Sequence, residues 1–150
     1  MASSRTFRAR LAGWLAQRAV RQALAIAYLL LFSTLLLIPN PGWLLGGWDV
    51  DDWSPWTGVD LVAVISYLVH FGGYAVLVAV GLWVLDWTSQ RGLAFALALA
   101  VLHGVTAEVL QLAVPNRTFD VLDILADSAG CLIGVWVMHR RREVHAARAR

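Results

Sequence analysis

Lysine is missing from this chain of 150 residues, and both cysteine and charge are scarce. The single cysteine, Cys131, excludes a disulfide framework. Charged residues make up 15% of the chain, against about 25% in an ordinary globular domain, and hydrophobic residues make up 59%. So much apolar content excludes intrinsic disorder, and the length excludes a two-domain soluble enzyme. The composition is that of an integral membrane protein.

Four apolar segments are candidates for membrane spans. They cover residues 23–38, 61–85, 93–114 and 121–138. The first is short against the ~20 residues that a spanning helix needs, and snorkelling of Arg18 and Arg21 extends it. Very short turns join the last three spans. The sequence therefore predicts an all-α fold, with four transmembrane helices in an antiparallel bundle that forms a single membrane domain over residues 1–150.

The basic residues are all arginines, twelve in number, and they are unevenly distributed. Eleven lie before the first span, between the second and third spans, or after the fourth. Arg117 alone lies in the turn between the third and fourth spans. Because basic residues accumulate on the cytoplasmic side of membrane proteins, we expect both termini in the cytoplasm. The segment after the first span and the turn at Arg117 are then outside.

Two stretches outside the spans each have two interpretations. The basic N-terminal residues lead into an apolar run without a small-residue cleavage site after Ile38, which predicts a retained signal-anchor. Phe7 and Trp14, at helical spacing, predict an interfacial amphipathic helix before the first span, although the stretch can equally be a plain topology signal.

The tryptophan-rich loop 39–60 is either an interfacial loop on the lipid headgroups or a lid or partner-binding segment.

Glycines within the spans predict where helices approach closely. Gly130 and Gly134 are four residues apart, which is the spacing of a small-residue packing face. Gly72, Gly73 and Gly104 in the neighbouring spans predict similar contacts.

Ionisable residues inside the spans are costly, so each needs a partner or a purpose. A rise of about 1.5 Å per residue places them in the outer half of the membrane, beneath Arg117, and three- and four-residue spacings align them on helix faces. We expect one polar cluster that faces the bundle centre and opens outward. Its members are His70, Tyr74, Glu108, Gln111, Arg117, Asp120, Asp123 and Asp127. His103 lies about 140° around its helix from Glu108 and is left outside the cluster.

The cluster is either a buried network that locks the helices together or a binding or catalytic pocket. In the network, Arg117 pairs with Asp120 or Asp123, and His70 bonds to Glu108. In the pocket, carboxylates at low dielectric serve as general acids or bases. Such acids and a histidine can also hold a divalent cation, but no compact ligand motif appears, so no metal and no cofactor are predicted. The arginines come with no nucleic-acid reader motif, so no nucleic-acid partner is expected.

Two motifs in the second half of the chain carry a family resemblance. They are His70-Phe71-x-x-Tyr74 and Glu108-x-x-Gln111-x-x-x-Pro115-x-Arg117-Thr118-x-x-x-x-Asp123-x-x-x-Asp127-x-x-Gly130-x-x-x-Gly134. Together they resemble the VanZ-like family of small bacterial membrane proteins, over about residues 60–138. The resemblance implies a multi-pass helical protein of the bacterial cytoplasmic membrane. The founding member of the family is associated with resistance to the glycopeptide antibiotic teicoplanin.

The chain departs from the family pattern at two places. Ser66 and Tyr67 stand where the family usually has an Asp-Lys pair, and Asp127 stands where asparagine is usual. One charged pair is therefore lost and one acid gained, which changes the electrostatics of the cluster.

For function, we expect a cell-envelope protein that binds, modifies or shields a lipid-linked envelope component and lowers sensitivity to glycopeptide antibiotics. The expected partners are membrane lipids and an outer-leaflet envelope precursor or a glycopeptide. Arg117 would act as an anion clamp, His70 and Glu108 as a proton-handling or hydrogen-bonding pair, and Gln111 and Asp123 as orienting groups. The alternatives are a non-catalytic subunit of a membrane complex and a membrane hydrolase of phosphorylated lipids. Whether any turnover occurs stays open.

Overall fold

The structure is a computed structural model that describes residues 2–39, 61–115 and 117–148, and in these ranges all regular secondary structure is helical. There are four long helices: α1 (Ala2–Leu36), α2 (Leu61–Leu85), α3 (Gln90–Gln111) and α4 (Val121–Arg148). Each contains a stretch long and apolar enough to cross a membrane. The prediction of an all-α protein with four spans is confirmed. The tryptophan-rich loop lies outside the described residues from position 40 onward.

The helices and the apolar segments differ in extent. α2 has the bounds predicted for the second span, whereas α3 begins and ends three residues before the predicted 93–114. α1 and α4 both continue beyond the predicted spans into the arginine-rich sequence, so the basic residues before the first span belong to the same helix as that span. Apolar windows mark the part of a helix that fits the bilayer, and polar turns at either end extend it.

Local capping groups explain the short turn between α2 and α3. Asp86 ends α2 in the left-handed region, with φ at 51°, a conformation that Asp tolerates better than most residues. Ser89 then N-caps α3, because its hydroxyl oxygen accepts a hydrogen bond from the backbone N–H of Gly92 at 3.1 Å. Residues 86–89 are therefore enough to reverse the chain.

The closest helix packing joins α2 to α4. A Cβ atom added to Gly130 would overlap the backbone of Phe71, and one added to Gly134 would lie 2.5 Å from the carbonyl oxygen of Ala75. Only a residue without a side chain lets the two backbones come so near. The predicted glycine packing face of α4 is confirmed, and its partner is α2.

α1 attaches to the bundle through the aromatic side chains of its C-terminal half. A Cβ atom on Gly73 would overlap the ring of Phe32, so Gly73 makes the space into which this ring packs. The ring of Phe32 also meets that of Tyr74 edge to face, 5.1 Å between centroids. The hydroxyl of Tyr28 donates to the carbonyl oxygen of Gly73 at 2.9 Å. Among the described residues, by contrast, none lies within 4 Å of a Cβ atom placed on Gly72, so the packing role expected of Gly72 is wrong for these helices.

The basic parts of α1 and α4 meet at one end of the bundle. Arg142 donates to the carbonyl oxygens of Trp87 and Leu82, at 2.6 and 3.2 Å. Arg21 lies 3.9 Å from the carboxylate of Asp86. These contacts place arginines of two helices beside the α2–α3 turn, so the opposite end holds the end of α1 and the α3–α4 turn.

Glycine packing generates the first prediction. Gly130→Ala should lower the free energy of unfolding by about 1–3 kcal/mol, because its Cβ forces the backbones of α2 and α4 apart. Gly72→Ala is the matched control: its Cβ meets nothing within 4 Å, and alanine favours a helix over glycine, so stability should stay the same or rise. Thermal unfolding of the detergent-solubilised protein measures both. Equal effects of the two substitutions would contradict the packing.

Candidate functional site

Four ionisable side chains lie together where α2, α3 and α4 meet, and we call them the acid cluster: His70, Glu108, Asp123 and Asp127. Their exposed fractions are only 3%, 0%, 6% and 1%. The prediction that these residues converge on the bundle centre is confirmed. They are buried in this structure, however, and do not open outward as expected.

His70 lies between two aspartates of α4. Its Nδ1 lies 2.8 Å from Oδ1 of Asp127, and its Nε2 lies 3.6 Å from Oδ2 of Asp123. A carboxylate oxygen accepts hydrogen bonds, so we assign the proton to Nδ1, which donates a hydrogen bond to Asp127. The hydrogen bond of His70 within the described residues therefore goes to Asp127, and not to Glu108 as expected.

Two carboxylate oxygens of the acid cluster are buried without a hydrogen-bond partner among the described residues, Oε1 of Glu108 and Oδ2 of Asp127. The other oxygen of Glu108, Oε2, accepts from the backbone N–H of Asp120 at 2.9 Å and so links the end of α3 to the start of α4. A buried acceptor left unsatisfied costs about 1–3 kcal/mol, and more when it is charged. Both oxygens are therefore free, among the described residues, to accept a further hydrogen bond.

The positions where the chain departs from the VanZ-like pattern face the acids. The hydroxyl of Ser66 lies 3.5 Å from Oδ1 of Asp123, and the hydroxyl of Tyr67 donates to Oδ2 of Asp120 at 3.1 Å. Asp120 also begins α4, since its Oδ1 accepts from the backbone N–H of Leu122. Ser66 and Tyr67 were not predicted as site residues. Their positions, four and three residues before His70, put them on the same face of α2 as His70, and this spacing could have identified them.

Two predicted site residues instead bind the end of α1. Nε2 of Gln111 donates to the carbonyl oxygen of Leu36 at 2.9 Å, and Nε of Arg117 donates to that of Ile38 at 3.1 Å. The last carbonyls of a helix lack partners within the helix, so Gln111 caps α1, while Arg117 holds the residues just beyond its end. The ion pair expected between Arg117 and Asp120 or Asp123 does not occur among the described residues.

His103, which its helical angle placed outside the cluster, forms a second set of hydrogen bonds with Tyr74 and Ser33. Nδ1 of His103 lies 2.7 Å from the hydroxyl of Tyr74, and Nε2 lies 2.9 Å from that of Ser33. Ser33 also donates to the carbonyl oxygen of Leu29 at 2.7 Å, so its one proton is used there. His103 must then donate from Nε2 and accept at Nδ1, which makes Tyr74 the donor. The helical angle between His103 and Glu108 correctly placed the two side chains on different faces of α3. It did not predict the partners of His103, which lie on α1 and α2.

Gly104 brings this chain of hydrogen bonds next to the acid cluster. A Cβ atom at Gly104 would lie 2.6 Å from Oδ2 of Asp127 and 3.3 Å from the hydroxyl oxygen of Tyr74. The missing side chain of Gly104 therefore provides the space that the Asp127 carboxylate occupies.

Three members of the acid cluster form a compact set of potential metal ligands. His70, Glu108 and Asp123 each offer one ligand atom, and the three atoms lie within 4.8 Å of one another. The residues come from three helices and are far apart in the sequence, so no compact motif signalled them. Chemically, the cluster can accept hydrogen bonds, exchange protons or hold a cation.

Comparison with known proteins gives one match. The sequence model of the family described as VanZ/LLP1 matches residues 14–142. The match includes most of α1 and extends beyond the 60–138 stretch on which the resemblance was based. No curated protein and no solved structure matches the chain.

The capping role of Gln111 can be tested by stability. Gln111→Leu should lower the free energy of unfolding by about 1–3 kcal/mol, because it leaves the buried carbonyl of Leu36 without a donor. Gln90→Leu makes the same change at an exposed position of α3 and should alter stability by less than about 0.5 kcal/mol. Thermal melts in detergent compare them. If the two variants unfold alike, Gln111 does not cap α1.

Proposed function

Since the chain belongs to the VanZ/LLP1 family of envelope membrane proteins, we propose that it binds a lipid-linked component of the bacterial cell envelope at the acid cluster. Two observations about the same side chains support the proposal. Glu108 and Asp127 are fully buried among helices long enough to span a membrane, and each keeps one oxygen without a partner in the described part of the chain. Binding of this component would lower the sensitivity of the cell to glycopeptide antibiotics.

The two unpartnered carboxylate oxygens, Oε1 of Glu108 and Oδ2 of Asp127, indicate which chemical groups the ligand should carry. Carboxylate oxygens accept hydrogen bonds, so the ligand should present hydroxyl or N–H donors. The sugar and peptide portions of lipid-linked envelope precursors are rich in both. Arg117 would contribute at the rim: its Nε is used by Ile38, and the terminal nitrogens of its guanidinium remain for a phosphate of the same ligand.

The proposed site places the ligand in the outer leaflet of the bacterial cytoplasmic membrane. The acid cluster lies at the end of the bundle opposite Arg21 and Arg142. If the arginine-rich end is cytoplasmic, as the positive-inside rule favours, both termini are cytoplasmic and the cluster is near the outer surface. The cation–π contact of Arg21 with Trp83, 5.4 Å to the ring centroid, is typical of an interfacial position at that end.

One observation favours a non-catalytic structural role as the second candidate. Gln111 and Arg117 belong to the family motif, yet their hydrogen bonds hold the end of α1. A subunit that stabilises a larger membrane complex would need such contacts, and it would need no ligand at the acid cluster.

Glu108→Gln separates the two candidates, because it removes the charge of Glu108 and keeps its size. On the ligand-binding proposal, the variant should accumulate in membranes like the wild type while glycopeptide susceptibility rises to that of cells without the protein. Glu143→Gln, an exposed glutamate at the other end of α4, is the control and should change neither quantity.

Folded protein in membranes and the minimum inhibitory concentration of teicoplanin are the two measurements. Loss of folded protein in Glu108→Gln would favour the structural role. Normal protein with unchanged susceptibility would overturn the proposed function.

The proposed topology is tested by cysteine labelling in intact cells. Thr118 and Thr88 are exposed in the α3–α4 and α2–α3 turns, and the native Cys131 is buried. An impermeant maleimide should label Thr118→Cys in intact cells, whereas Thr88→Cys should react only after permeabilisation, because charged reagents do not cross the bilayer. Labelling in the reverse order would overturn the orientation.

A further inference from the structure

We infer that His70, Glu108 and Asp123 form a binding site for one divalent transition-metal cation, of the class of Zn²⁺ or Mn²⁺. The inference stands on the geometry of the three side chains. It is argued independently of the proposed function, although the cation would occupy Oε1 of Glu108, one of the two oxygens assigned there to the envelope component.

The distances suit a single ion. The three ligand atoms lie within 4.8 Å of one another. Two atoms that bind one tetrahedral Zn²⁺ at about 2.1 Å lie about 3.4 Å apart, so a pair at the 4.8 Å limit has to close by about 1.4 Å. Nε2 of His70 and Oδ2 of Asp123, 3.6 Å apart, already lie close to that spacing.

An independent observation points to a bound group. Oε1 of Glu108 is buried and has no hydrogen-bond partner in the described residues, while Oε2 is held by the N–H of Asp120. Glu108 is 0% exposed, so bulk solvent does not reach this oxygen. A cation between Glu108, His70 and Asp123 would satisfy this oxygen without moving Oε2.

His70 is already oriented as a metal-binding histidine. Its Nδ1–H donates to Asp127 at 2.8 Å, which leaves the lone pair of Nε2 on the side of Asp123. Ligating histidines are commonly held in this way, with a carboxylate on the other ring nitrogen fixing the tautomer. Asp127 is thus a positioning residue, and Ser66, 3.5 Å from Oδ1 of Asp123, stands in the same outer layer of contacts.

The charge of the acid cluster also favours a cation. Three carboxylates face one histidine, and no arginine pairs with them among the described residues. Even a protonated His70 would leave the cluster negative inside a bundle where charge is costly. Protonation of the acids is the alternative, and a divalent ion offsets two of the three negative charges while using all three ligand atoms. A ligand set of one nitrogen and two carboxylates suits Zn²⁺ and Mn²⁺ better than Ca²⁺, which prefers oxygen alone.

Mn²⁺ binding to the full-length protein in detergent tests the inference. Electron paramagnetic resonance of the free ion should report one saturable site per chain, and spin-echo modulation of the bound ion should show one coordinated nitrogen. Glu108→Gln and Asp123→Asn should each weaken binding at least about tenfold. Asp127→Asn keeps an oxygen for Nδ1–H and should bind nearly as wild type, whereas Asp127→Leu should weaken binding about 10–100-fold.

The control is the exposed pair of His139 and Glu143, whose side chains lie 3.6 Å apart on α4. His139→Gln and Glu143→Gln should leave binding unchanged, and loss of binding in either would assign the ion to the surface. Absence of a saturable site, or of nitrogen modulation in the wild type, would overturn the inference without any variant. Mn²⁺ binding combined with unaltered antibiotic susceptibility of Glu108→Gln would support the metal site and refute the proposed function.

Discussion

The contact between α2 and α4 controls where the polar groups of this protein meet. Gly130 lies against the backbone of Phe71, and one turn earlier on α4 is Asp127, which accepts the hydrogen bond of His70, the neighbour of Phe71. The histidine reaches the aspartate because the two backbones touch. A larger residue at Gly130 would widen the gap and break a hydrogen bond that is buried among apolar helices, where no water replaces it.

The remaining contacts arrange two polar systems around that pair. On one side are the acids, with Glu108 tying α3 to the start of α4 through the N–H of Asp120. On the other side, Tyr74 and His103 connect α2 and α3 to Ser33 of α1. The two systems approach each other at Gly104, where a Cβ atom would be too close to Asp127 and in tight contact with Tyr74. Among the described residues, α1 is held by these hydrogen bonds and by two buried side chains, Phe32 and Leu36.

The sequence predicts the elements of the fold well and the partners of the site less well. Long apolar runs identify spans wherever they occur, and the spacing of Gly130 and Gly134 identifies a packing face. Depth and helical spacing also selected His70, Glu108, Asp123 and Asp127 correctly, because the short turns make α2, α3 and α4 antiparallel neighbours. The same reasoning failed for Gln111 and Arg117, whose hydrogen bonds go to α1, and it kept His103 out of the cluster without finding its contacts with Tyr74 and Ser33. The long segment before α2 leaves the placement of α1 unspecified, so no spacing relates these residues to Leu36, Ile38 or Ser33.

The sequence by itself determined that this is a membrane protein of four helices, with arginines at one end and acids within the other. Composition, span length and periodicity are local quantities, and they are enough for such conclusions. Tertiary structure decided which oxygen of Glu108 is satisfied and which is orphaned, which nitrogen of His70 faces Asp123, and that residues 70, 108 and 123 come within reach of one ion. Those facts depend on the positions of separate helices relative to one another, to within a few tenths of an ångström. These positions are set by how side chains and glycines pack, and the order of residues along one helix does not specify them.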